Sequence, residues 1–301
     1  MSYTQFQKNF YSNFTGFWDL RIWFFKSLAI SVILVMSHSS VPGQDNPTSR
    51  SDATPNEKNR WAALVDLASS SLRFVENKAF KAGEKLFYDI RYENIHAGKG
   101  VLSVQWSERF QKLPLYEITS LAQSNDFFSL FYKVRDTVKT LVDARGIFPW
   151  QFEKHLHEGA YHKNDHVIFD QPHRLAYTSD DTFQVPPFVQ NVLSAMYFVR
   201  TQDFTVGDTL YIDSYDNGKI YPIKIIIHRK DIVRTLAGKF ECLIAEPVLQ
   251  TPALFQQKGR VAVWLTNDHR KIPVLMKSQI YAGNFKLGEI IVELEKMEGV
   301  D

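Results

Sequence analysis

From Leu86 to Leu294 the chain alternates between apolar and polar positions with a period of two. Leu86, Tyr88, Ile90 and Tyr92 share one face near the start, and Ile290, Val292 and Leu294 share one near the end. Between them, Leu102, Val104 and Trp106 alternate with Ser103, Gln105 and Ser107, and Tyr116, Ile118 and Ser120 open a further run. This periodicity, with turn residues between the runs, is that of antiparallel strands with one face buried and one wetted. Turn chemistry marks the joins. Asn94 to Gly100 reverses the first strand, Asp216-Asn217-Gly218-Lys219 makes a tight hairpin, and Asn267 to Arg270 and Gly283-Asn284 end later runs.

The period changes twice. Phe127, Phe128, Leu130 and Phe131 fit about two helical turns behind Asn125 or Asp126 as N-cap. After Pro186-Pro187, the residues Val192, Ala195, Met196 and Val199 fall at i, i+3, i+4 and i+7. The expectation is an all-β fold: a large curved antiparallel sheet of about ten to twelve strands, an open barrel or a sandwich, with two short helices. No fixed-period repeat is present, which excludes a propeller or solenoid.

The N-terminal region reads differently. Arg21 and Lys26 precede an apolar run from Leu28 to Met36 and a small polar stretch, Ser37 to Gly43. Residues 1–44 are therefore expected to be a signal peptide or signal anchor, and no Cys follows the run to carry a lipid. Residues 45–60, rich in Pro, Ser, Thr, Asn and charge, read as a disordered linker. Residues 61–78 read as a short amphipathic helix through Leu64, Val65, Leu67, Ala68 and Leu72, and 79–301 as a single β domain. A periplasmic or secreted location follows, with membrane attachment only through an uncleaved N-terminus.

Composition narrows the function classes. Of 301 residues, 14% are aromatic, which suits a sheet interior or a ligand cavity. The formal net charge of +2, with Lys and Arg dispersed, excludes the footprint of a nucleic-acid binder. The lone cysteine, Cys242, cannot form an internal disulfide and sits on the inward side of an alternating strand.

Several stretches together resemble the uncharacterised exported bacterial proteins of domain-of-unknown-function family 3108. They are Phe80-Lys81-Ala82-Gly83-Glu84 with Leu86 and Tyr88, Ile95-His96-Ala97-Gly98, and Tyr132-Lys133-Val134-Arg135-Asp136. Gln190 to Tyr197 with Arg200, and Val263 to Asp268 with Ile272-Pro273-Val274, complete the set. The resemblance implies a periplasmic or secreted β domain and supplies no catalytic residues. The architecture is also similar to half-open barrels that carry lipoproteins or other lipids between bacterial membranes, an analogy of fold.

Chemistry-bearing clusters are sparse. Five of nine histidines fall between His155 and His173. His155 and His157 share a strand face, and His162 or His166 on the next strand, with Glu153 or Glu158, would complete a zinc-like ligand set. Against this, the hairpin is polar and lacks a recognised zinc spacing. Ser194 lacks the glycine-flanked elbow of a hydrolase nucleophile. Arg135 is a candidate anchor for an anionic head group, with a structural ion pair as the ordinary alternative. No cofactor is implied. The leading expectation is a non-enzymatic envelope protein that binds an apolar or lipid-like ligand inside its sheet, contacted by Phe127, Phe128, Phe131, Arg135, Met196 and Trp264. The alternatives are a scaffold that binds an envelope protein or glycan on its outer surface, and a metal-dependent enzyme built on the His155/His157 hairpin.

Overall fold

The computed structural model describes residues 72–107, 113–249, 261–282 and 285–300. The predicted signal segment, the linker and most of the predicted first helix lie outside them. The remainder of that helix, 72–78, is not helical. There the Val75 N–H donates to the Arg145 carbonyl at 2.7 Å, and the Arg73 guanidinium donates to the carbonyls of Gly146 and Ile147 at 2.9 Å each. These contacts hold the segment extended along the loop 144–148, so its backbone cannot close helical turns.

All strands among the described residues belong to one antiparallel sheet. The first eight are β1 (Lys85–Tyr92), β2 (Ile95–Trp106), β3 (Leu115–Ser124), β4 (Arg135–Asp143), β5 (Pro149–Glu158), β6 (Tyr161–Asp170), β7 (Leu175–Tyr177) and β8 (Thr182–Gln184). After a helix come β9 (Thr209–Asp216), β10 (Lys219–Thr235), β11 (Gly238–Leu249), β12 (Val261–Thr266), β13 (Pro273–Ala282) and β14 (Phe285–Glu298). Their order is β8-β7-β6-β5-β4-β3-β2-β1-β14-β13-β12-β11-β10-β9, so the first and last full-length strands of the chain pair and the middle of the chain supplies both edges. The fold is the open barrel, not the sandwich. Among the described residues fourteen strands replace the expected ten to twelve, partly because β7 and β8, at three residues each, are too short to show alternation.

The two edges, β8 and β9, meet through side chains. Phe183 of β8 lies with its ring 6.0 Å from that of Tyr215 in β9. Beside them the buried Lys154 ammonium of β5 reaches Asp216 at 2.5 Å and Asp165 at 3.3 Å. The free edge of β9 is also covered by the chain at Gln190, whose N–H donates to the Asp213 carbonyl at 2.9 Å and whose carbonyl accepts from Tyr215 N–H at 2.7 Å. An unpaired edge is a template for association, and these contacts blunt it.

Among the described residues, two helices decorate the shell. α1 (Asp126–Ser129) sits in the β3–β4 connection, and α2 (Val192–Arg200) in the long crossover between β8 and β9. α2 runs inside the curve of the sheet. Asn191 caps it by accepting from the N–H groups of Leu193 and Ser194 at 3.1 and 3.0 Å, while Ser194 Oγ accepts from Asn191 N–H at 2.9 Å. The Asn191 amide also donates to Thr140 Oγ1 of β4 at 2.9 Å. At the other end, the fully buried Arg200 makes a two-pronged pair with Glu84, at 2.6 and 2.8 Å, and donates to the carbonyls of Ala79 and Arg270. The helix is thus fixed to the end of the shell where β1 begins.

Candidate functional site

The site is a cavity of about 200 Å³ between α2 and the inner face of the sheet. Its origin is legible row by row in the pairing register. Ile90, Gly98 and Ser124 stand side by side on β1, β2 and β3; the next inward row is Tyr88, Gly100 and Ala122; the next is Leu86, Leu102 and Ser120. A protein interior is normally packed to crystal density, so successive rows with two small residues leave space unless a neighbour fills it. No neighbour does. α2 presents Val192, Ala195, Met196 and Val199 to the space, and the far wall is Ile223 and Ile225 of β10, Ala245 of β11, Val263 and Leu265 of β12, Met276 of β13 and Val292 of β14.

The lining carries no charged side chain. Its polar groups are the Tyr88, Ser120 and Ser124 hydroxyls and the Gln123 amide. Two of these already have partners: Tyr88 donates to the Pro273 carbonyl at 2.8 Å, and Ser124 Oγ accepts from Val134 N–H at 2.9 Å. The cavity therefore offers dispersion contacts and removal from water, and no counter-ion.

Placed against the sequence candidates, the geometry separates them. Met196 lines the cavity. Phe128 is buried in the core beside it, whereas Phe127 and Phe131 face solvent on the α1 excursion. Arg135 is exposed on the outer face of β4. Its neighbour Asp136 points inward instead, accepting from the His157 N–H at 2.9 Å. Trp264 lies on the outer face of β12, its indole N–H donating to Asp231 at 2.9 Å and its ring under the Lys277 ammonium. Sequence pattern assigned the face of α2, but missed Gly98, Gly100, Ser120, Ala122 and Ser124. The available signal was a run of small residues at the inward positions of adjacent strands. Gly100 read instead as part of a turn, yet the turn is confined to Glu93-Asn94 and β2 begins at Ile95.

The histidines of β5 and β6 share the outer face, where the Glu153 carboxylate lies 3.9 Å from His155 Nε2 and 4.0 Å from His166 Nε2. His157 stacks edge-on against His162 at 5.0 Å between centroids, His155 pairs with Asn164 at 2.9 Å, and His166 meets Gln151 at 2.9 Å. Among the described residues no group of three or more His, Cys, Asp or Glu is placed to hold a metal ion. Ser194 is fully buried in the α2 cap. The Cys242 thiol is pushed up to about 12 by burial, with the Asp231 and Asp268 charges adding to the effect.

Behind the cavity wall lies a buried acidic pair. Val134, which lines the cavity, bridges to Glu158, whose carboxyl adjoins that of Asp136 and the hydroxyl of Tyr132. Burial raises Asp136 to about 6, against the stabilising hydrogen bond from His157.

The family of proteins of unknown function DUF3108 matches residues 88–288. The chain belongs to this family. The DUF3108 match spans most of the cavity-lining residues, from Tyr88 of β1 to Met276 of β13, with Val292 of β14 beyond its end. No curated protein matches the sequence. Among solved structures, the chain is similar to a β-barrel-like protein of family DUF1849 from Brucella abortus, at 12% identity and a TM-score of 0.50, covering 77% of this chain and 100% of that one. At that identity the likeness is one of fold. A Bacteroides fragilis protein of YmcC-like fold aligns at 15% identity over 75% of this chain and 99% of its own, with a TM-score of 0.27, too low to carry an argument.

Proposed function

We propose that this DUF3108 protein is an exported, non-enzymatic carrier whose cavity holds the apolar chain of a lipid-like molecule. The observation that carries the reading is the uncharged cavity between α2 and the small-residue rows of β2 and β3. A long apolar group gains about 0.8 kcal/mol for each methylene removed from water. A charged head group finds no partner in this lining and would stay outside it. The basic residues and apolar run at the N-terminus support export, where such a carrier would meet lipid. The burial of Ser194 in the α2 cap supports a binding role over catalysis.

The test is native mass spectrometry of protein purified from its own envelope, together with titration by a fluorescent fatty acid. Bound lipid and saturable uptake are expected. Ala122→Phe, which fills the space from β3, should abolish uptake while the protein stays folded. Absence of both lipid and uptake in the wild type would defeat the proposal.

A further inference from the structure

We propose that the α1 excursion is a membrane-docking prong that sets the cavity against a bilayer surface bearing anionic lipids. The excursion leaves the sheet at Ser124 and returns at Val134, and both residues line the cavity. Its root is clasped: Ser124 N–H donates to the Val134 carbonyl at 3.1 Å, and Val134 N–H to Ser124 Oγ at 2.9 Å. Asn125 accepts from Phe128 N–H at 2.8 Å and donates through its amide to the His96 carbonyl at 2.7 Å, tying the base of the excursion to the start of β2. On this fixed root, Phe127, Leu130 and Phe131 are 59%, 80% and 61% exposed, with the Phe127 and Phe131 rings 5.5 Å apart.

Large apolar side chains clustered at one tip of a soluble shell mark a contact surface. The size of the cluster selects the partner. A stable protein interface buries about 800 Å² on each side, and three side chains on a convex tip fall far short. They are enough to sink into the headgroup–acyl boundary of a bilayer, where apolar groups insert and cationic groups stay with the phosphates. The charges fit that surface. Lys133 and Arg135 are exposed at the return of the excursion, and no carboxylate among the described residues forms an ion pair with either; the excursion itself holds one acidic residue, Asp126. Each such cation near an anionic surface adds to the attraction. This inference goes beyond the carrier reading, which concerns the cavity alone.

The experiment places an environment-sensitive fluorophore at the prong of the full-length protein through Leu130→Cys. The native Cys242 is buried and leaves the new thiol as the reactive one. The control is Leu236→Cys, 63% exposed in the β10–β11 turn, outside the excursion. With vesicles of phosphatidylglycerol and phosphatidylcholine, the Leu130 label should shift to the blue and be quenched by brominated lipid, while the Leu236 label stays unchanged. Lys133→Glu with Arg135→Glu should weaken the response about tenfold or more. An unmoved label at Leu130, an equal response at Leu236, or an unaltered response in the charge-reversed variant would overturn docking. Fatty-acid uptake measured without vesicles reads the cavity separately, so uptake with no docking refutes the prong alone, and docking with no uptake refutes the carrier alone.

Discussion

Single residues explain why several of the family-resembling positions are what they are. Glu84, Arg200, Asn191 and Gln190 touch nothing that enters the cavity; they lock α2 inside the sheet. Removing one member of a buried ion pair strands the other charge, at about 3–5 kcal/mol. Arg200→Met should therefore lower the midpoint of urea unfolding sharply, and Arg200→Met with Glu84→Leu should recover part of the loss. Gly98 is required by space: a Cβ there would lie 2.2 Å from the Gln123 carbonyl oxygen. Asp136 gives a signed pH effect. Its carboxyl ionises near pH 4 when unfolded but about 6 when folded, so the folded state holds the proton more tightly across that window. Its contribution is therefore most favourable below about pH 4, declines as pH rises toward 6, and is flat above. In Asp136→Asn, thermal melts between pH 4.5 and 7 should show a smaller decline than in the wild type; an unchanged slope would refute this assignment.

At the scale of elements, α2 shows how pattern and position divide the work. Its i, i+3, i+4, i+7 stripe is written in the sequence, as is its proline-led start, and the stripe is the face that meets the cavity. Nothing local says that the helix runs inside the sheet, because that depends on Asn191 reaching Thr140 and Arg200 reaching Glu84, contacts between residues 51 and 116 positions apart. Asn191→Ala removes both the cap and the Thr140 bond. A loss of about 1–2 kcal/mol is expected from the cap, read by chemical denaturation, with weaker fatty-acid binding as the floor of the cavity loosens. The α1 segment was legible as about two helical turns capped by Asn125 or Asp126; the structure forms the four residues Asp126–Ser129 with Asn125 as the cap. Its three exposed apolar residues read from sequence as ligand contacts or core, since periodicity states which residues share a face and not what the face meets.

For the whole molecule, the way the two edges of the open shell are held is the decisive property. β1 pairs with β14 through backbone hydrogen bonds, while β8 and β9 are held together by Phe183, Tyr215 and the Lys154–Asp216 pair. Lys154→Met would leave Asp216 and Asp165 facing each other at the seam without their cation. Hydrogen exchange is expected to rise first in β7, β8 and β9 of that variant, with β1, β2 and β14 still protected. What the sequence by itself determined is the strand alternation, the hairpin at Asn217-Gly218 and the two helical stripes. These are local or periodic properties, carried by side chains a few residues apart. The tertiary structure alone decided that the sheet curls into an open barrel, that α2 lies within it, and that small residues on β2 and β3 fall opposite one another. A cavity is a sum of volumes from strands far apart in the chain. No single segment records the space that its distant neighbours leave empty.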